Sequence, residues 1–290
     1  MRFRVLDIET IPDGAVWTKG DNQYRLTQGL PVVDGNRYSG LHEAAVLPSD
    51  PFPPPHACRV VALSTVDIVM DIQQSPRYSF DSCATSCDWW DGVPRAGRSA
   101  LGRIVSYEDF AEIELISKFS ESMFESSATL VTWNGRGFDL PVLSMRALKL
   151  GVPFGWYYRS RDIRYRYSDE GHLDLMDSLG DYGASRNAKL GDVARLIGLP
   201  GKIGEVKGSG VHDIYLSTLG EQDTKIVRDR QDAVGRYCLQ DTIQTALIFL
   251  RSRFHVGKIE RNEYNLCLET FANSQDVGAA ISIDWDRLRL

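Results

Sequence analysis

Apolar and polar positions alternate over two stretches near the start of the chain and then change period. Residues 3–8 (Phe-Arg-Val-Leu-Asp-Ile) read as a first strand, and Arg59 to Ile72, alternating and β-branched, as a second. Between them, residues 12–57 are rich in Pro, Gly and Asp and end in Pro51-Phe-Pro-Pro-Pro-His56, the composition of a long loop. Residues 75–104 are polar and rich in Cys and Trp, and predict a third strand with a variable insertion. Helical spacing begins at Ser106–Phe124, where Phe110, Ile113, Ile116, Phe119 and Met123 recur at three and four. A short buried strand is expected over Ala128–Trp133, and a helix over Leu140–Leu150, stopped by Gly151 and Pro153. Helices are also expected from Leu173 to Leu179, over Lys189–Leu199, and, as one or two elements, over Lys225–Phe254. The tail holds a further helix and a β-like segment near Ile281–Ile283. Strands come first and helices dominate later, which predicts an α/β chain with a mixed sheet flanked by helices.

Composition narrows the reading. The 290 residues carry 43% hydrophobic positions, enough for one elaborated domain spanning 1–290. No signal-like segment opens the chain and no apolar run is long enough for a membrane span, so the expectation is a cytoplasmic protein with no membrane partner. The net charge of −6 argues against a protein that coats nucleic acid through a basic surface, because phosphate neutralisation drives such binding. It leaves room for an acidic cluster neutralised by cations. Five cysteines, an odd number, suggest reduced thiols. His56, Cys58, Cys83 and Cys87 match no standard zinc spacing, and Cys83 to Cys87 reads as loop.

Three segments carry candidate chemistry. In Val5-Leu-Asp7-Ile-Glu9-Thr10, two carboxylates two residues apart on a strand share a face, and their repulsion is costly without a cation. Taken alone, such a pair is more often a solvated strand end. In Asn134-Gly-Arg-Gly-Phe138-Asp139, a strand runs through a glycine-flanked turn into a helix. There Asp139 could be a simple capping residue. In Tyr237-Cys-Leu-Gln-Asp241, the phenol and carboxylate share one helix face, as a core tyrosine beside a solvated aspartate also would.

In this order, the three segments resemble the DEDD 3′–5′ exonucleases, in the tyrosine branch found in the proofreading domain of family B DNA polymerases. Gly198-Leu-Pro-Gly-Lys202 and His172-Leu-Asp-Leu-Met-Asp177 look like its stand-alone bacterial relatives. The resemblance implies an RNase H-like fold whose sheet gathers Asp7, Glu9, Asp139 and Asp241 around two divalent ions, Mg2+ or Mn2+, ligands that suit hard cations. It implies that Tyr237 orients the attacking water, a phenol being a poor base at neutral pH. Thr10, Asn134 and Phe138 would contact the terminal nucleotide. The substrate implied is a single strand or frayed end with a free 3′ terminus, DNA ahead of RNA, released as 5′-mononucleotides. No polymerase domain follows, so proofreading would act in trans, and nothing indicates a polymerase or repair partner.

Other readings stay open. His172 with Asp177 spells the histidine-branch signature, with His172 as general base, although the long apolar helix after Asp241 favours Tyr237. Gly198–Lys202 lacks the glycine spacing of a phosphate loop, so a helix stop explains it, with Lys202 still able to touch phosphate. Trp156 to Tyr167 interleaves aromatics with Arg159, Arg161, Arg164 and Arg166, the composition of a single-strand groove or of a solvated strand pair. A catalytically inactive RNase H-like binding module is the rival function. It would have no reason to keep a costly anionic cluster.

Overall fold

The computed structural model describes residues 1–13, 53–89, 96–98, 104–201, 210–219 and 221–290. Most of the 12–57 segment, residues 90–95 and 99–103 of the 75–104 segment, and Lys202 lie outside the described residues. The strands are β1 (Arg2–Pro12), β2 (Cys58–Met70), β3 (Tyr78–Cys87), β4 (Ala96–Arg98), β5 (Ile104–Ser106), β6 (Thr129–Thr132) and β7 (His172–Asp174). The helices are α1 (Tyr107–Ser126), α2 (Asp139–Leu150), α3 (Gly155–Arg159), α4 (Arg161–Arg164), α5 (Leu175–Leu179), α6 (Leu190–Leu196), α7 (Val211–Thr218), α8 (Thr224–His255), α9 (Arg261–Ala272), α10 (Gln275–Ala280) and α11 (Trp285–Leu288).

Five strands form one sheet in the order β3-β2-β1-β6-β7. β2 runs antiparallel to β1 and β3, while β1, β6 and β7 are parallel. This is the mixed sheet of an RNase H-like fold, with β4 and β5 paired separately. Strand alternation sends β1 side chains to two cores. Phe3 and Val5 meet α8, where the Phe3 and Phe249 rings are 4.8 Å apart. Leu6 and Ile8 meet Ile116 of α1 and Leu140 and Leu143 of α2. Burying side chains of this size contributes about 1.5–3 kcal/mol each.

Several elements differ from the sequence expectation. β7 occupies His172–Asp174, where helix was expected, because three buried residues pair with Leu130–Thr132 before Asp174 caps α5. A run this short carries no decisive period. Cys83 and Cys87 sit on strand β3 and not in a loop. Trp156–Arg164 forms the short helices α3 and α4, not a strand pair. Ile281–Ile283 forms no strand: Ile281 is extended and buried, but it joins no ladder. The one or two helices expected over 225–254 are the single helix α8, opened by the Asp223 carboxylate, which accepts from the Lys225 amide at 2.9 Å.

Candidate active site

Asp7 and Glu9 leave β1 on the face that looks toward α8. Just beyond them the β1–β2 register shifts, Glu9 pairing with Ala62 and Thr10 with Val60. A bulge there turns the strand end and re-aims the residues beyond it. Thr10, expected to contact substrate, is 6% exposed and shares a hydrogen bond with the Cys58 thiol.

Asp139 arrives from the far side of the sheet. β6 ends at Thr132, and the chain turns through Asn134, which is held in the left-handed region at φ 65°. The Asp174 carboxylate at the end of β7 fastens this turn: Oδ1 accepts from the Asn134 amide and Oδ2 from the Arg136 amide, both at 2.9 Å. Arg136 in turn donates to the carbonyls of Ile163, at 3.1 Å, and His172, at 2.7 Å. Gly135 is needed for close approach, since a Cβ there would lie 2.4 Å from Thr132 Oγ1. So held, Asp139 opens α2, 3% exposed, and its carboxylate accepts a hydrogen bond from the Ile8 amide of β1. Phe138 packs on the α1–α2 core and Asn134 is half-buried.

The third contribution comes from α8. Thr85 donates to the Gly235 carbonyl at 3.1 Å, and a Cβ on Gly235 would lie 3.1 Å from the Cys87 Cβ. Glycine thus lets the helix settle onto β3. Two residues on, Tyr237 packs against Ile11 and Val61 and bonds Asp241, one turn later on the same face. Cys238, fully buried between them, points its thiol at Asp7, 3.5 Å from the carbonyl and 3.7 Å from Oδ2.

Four carboxyl groups therefore converge at the end of β1. Burial raises the Asp7 pKa well above the usual range, and the charges of Asp139, Glu9 and Asp241 raise it further. Burial pushes Asp139 up to about 7, with the Asp174 charge adding to the effect. Tyr237 is raised by burial and then by Asp241, Glu9 and Asp7, so its phenol stays protonated. Such a cluster is costly until a cation enters. Asp7, Glu9 and Cys238 offer ligand atoms within 4.8 Å of one another, a grouping that could hold a metal ion. It is the only such group among the described residues, so His56, Cys58, Cys83 and Cys87 form none.

The histidine alternative lies elsewhere. His172 is fully buried, 2.8 Å from Thr132 Oγ1, and burial holds its pKa well below the usual value. Asp177 pairs bidentately with Arg166, at 2.7 and 2.9 Å, and is not among the charges that perturb Asp7. Arg159, Arg161 and Arg164 are exposed on α3 and α4. Gly198 and Gly201, both at positive φ, close the turn after α6 as a helix stop should. Reading the sequence missed Asp174, Arg136 and Cys238. All three stood inside segments already singled out, but what they do depends on strand pairing and helix rotation.

No helix among the described residues is long and apolar enough to cross a membrane. A comparison with curated proteins finds no match. Among solved structures, the chain is similar to the family B DNA polymerase of the hyperthermophilic archaeon Pyrobaculum calidifontis. Identity is 16% and the TM-score 0.44, over 94% of this chain and 29% of the polymerase, so the chain spans under a third of that protein's length. A family model described as a predicted 3′-5′ exonuclease related to the exonuclease domain of PolB matches residues 92–277, a stretch that includes Asp139, Tyr237 and Asp241. The chain belongs to this family of predicted 3′-5′ exonucleases related to the exonuclease domain of PolB.

Proposed function

We propose that the chain is a divalent-cation-dependent 3′–5′ exonuclease that removes 5′-mononucleotides from single-stranded or frayed DNA, with RNA a second substrate. Asp7, Glu9, Asp139 and Asp241 would hold two Mg2+ or Mn2+ ions, Asp7 shared between them. When bound, the ions supply an activated water and charge stabilisation for the departing 3′ oxygen. The observation that carries this reading is the convergence of Glu9, Asp139 and Asp241 on the buried Asp7 carboxylate at the end of β1.

The remaining work falls to the chain's own groups. Tyr237, protonated and bonded to Asp241, orients the water through its hydroxyl oxygen and does not take the proton. The water oxygen forms a bond to phosphorus as the bond from phosphorus to the 3′ oxygen breaks. One water proton goes to solvent and the leaving oxygen gains another. Asn134 and Phe138, on the turn fastened by Asp174, meet the terminal nucleotide. Asp174 holds that turn, and through it Asp139, in place.

The test uses a 5′-labelled single strand incubated with Mg2+, Mn2+ or chelator. The expected result is a ladder shortening from the 3′ end, abolished by chelator and by Asp7→Ala with the fold intact. A wild-type protein that binds the strand but never shortens it would return the chain to the class of binding modules.

A further inference from the structure

The short helices α3 and α4 are fastened from below and aromatic above. Trp156 and Ile163 are buried in the α1–α2 core, 1% and 8% exposed, which turns their neighbours outward. Tyr158, Tyr165 and Tyr167 are each roughly half exposed, large rings left in water at a free-energy cost. They are not scattered. Tyr157 and Tyr158 ring centroids are 5.1 Å apart, Tyr165 and Tyr167 5.8 Å, and Tyr167 and Tyr182 4.9 Å. Arginines lie along the same ridge: the Arg164 guanidinium sits 4.9 Å over the Tyr158 ring and that of Arg161 5.2 Å over Tyr165, while Arg159, next to Tyr158, sits 5.0 Å over the exposed Phe124 ring of α1. Among the described residues, no carboxylate stands within ion-pair distance of Arg159, Arg161 or Arg164, although Asp162, Asp169 and Glu170 share the stretch.

This ridge leads to the reacting end. Phe138 and Tyr157 pack on the same core cluster, and Arg136, three residues before Asp139, reaches the Ile163 carbonyl of α4. Arg136 also lies near the Tyr157 and Tyr182 side chains. Tyr182, half-buried, stands on unusual backbone. Asp181 and Tyr182 both stand at positive φ, 49° and 53°, a strained backbone that the surrounding packing must sustain. Below them, the Arg166–Asp177 pair ties the loop to α5.

Rings every few residues with guanidinium groups beside them match a strand of unpaired nucleotides, whose bases present π-faces and whose phosphates need cations. An acidic protein has to concentrate such contacts locally. We propose that the ridge of Tyr158, Tyr165, Tyr167 and Tyr182, with Arg159, Arg161 and Arg164, is the surface on which the single strand leading to the 3′ terminal nucleotide is stacked. This rests on the exonuclease reading above, and it adds where the strand runs before it reaches Asp139.

The variant for the test is Tyr158→Ala/Tyr165→Ala/Tyr167→Ala, all at exposed positions, with its melting temperature checked against wild type. Turnover is measured on a dinucleotide, too short to reach the ridge, and on a long oligothymidylate; binding of the labelled long strand is followed by fluorescence anisotropy in chelator. The expected result is unchanged turnover of the dinucleotide, with affinity for the long strand at least about tenfold weaker and its KM raised by a similar factor. Arg159→Ala/Arg161→Ala/Arg164→Ala should flatten the salt dependence of binding, by about 0.7 in logarithmic slope per lost phosphate contact. A tyrosine variant that binds and digests the long strand as wild type does would overturn the proposal. Wild type that digests neither substrate would instead strike the exonuclease reading, and the anisotropy comparison would still decide the surface.

Discussion

At Asp7 the fold gathers charge of one sign in a place that water only partly reaches, and several consequences can be measured on single side chains. Asp7→Asn removes one member of the repelling set. Without divalent cations, above pH 7, this variant should be more stable than wild type, because it no longer carries a buried charge beside three others. It should also lose the stabilisation that Mn2+ gives wild type in a thermal melt. Equal melting temperatures for the two metal-free proteins would mean that the repulsion is not there. Tyr237→Phe keeps the ring in its pocket and removes only the hydroxyl. Turnover should fall by about a hundredfold, as when one oriented polar group is lost from a reacting centre, while Mn2+ binding is retained. Full turnover in this variant would take the phenol out of the chemistry. His172 tests the other branch. Its buried ring stays neutral in the folded chain while the unfolded chain takes up a proton below about pH 6.5. The stability it confers is therefore present above that pH and lost as pH falls. The stability difference between wild type and His172→Gln should shrink from pH 7 toward pH 5, read by urea unfolding. A constant difference would place a charged imidazole in the fold.

Among the elements, the turn between β6 and α2 and the buried ion network beneath it do most to set the site. Arg146 of α2, 1% exposed, joins Glu112 of α1 and Asp13 just past the end of β1. Removing one partner of a buried network strands the others, so Arg146→Ala should cost about 3–5 kcal/mol in denaturant unfolding; a loss under about 1 kcal/mol would show the network idle. Gly135→Ala drives a methyl into Thr132 and should cost about 1–3 kcal/mol, displacing Asp139 with it. These features also mark how far sequence reasoning reached. The pairing of Asp7 with Glu9 was readable because strand period alone puts them on one face, and Tyr237 with Asp241 because helix period does the same. The convergence of the two pairs on Asp139 required a register that no local pattern encodes. For the same reason Asp174 looked like part of a helix, and Cys238 like filler between two motif residues. Both matter through partners far away in sequence, Asn134 and Asp7.

Across the whole molecule, the cluster makes stability depend on pH and metal together. Asp7 and Asp139 have folded pKa values above the ordinary carboxylate value, Asp139 at about 7. Stability from the protonated pair is present below about pH 4 and is lost as pH rises through 7 in the metal-free chain. A bound cation removes that loss, so the rise in melting temperature on adding Mn2+ should be larger at pH 8 than at pH 5.5. The net charge of −6 then describes a chain whose acids are partly unneutralised until the ions enter. The most direct measurement is calorimetric titration of Mn2+ into wild type and Asp7→Asn above pH 7. Wild type should take up two ions per chain, and the variant should bind fewer and more weakly. Wild type that binds no Mn2+, or a variant that binds as wild type does, would contradict a cation site built from Asp7, Glu9, Asp139 and Asp241.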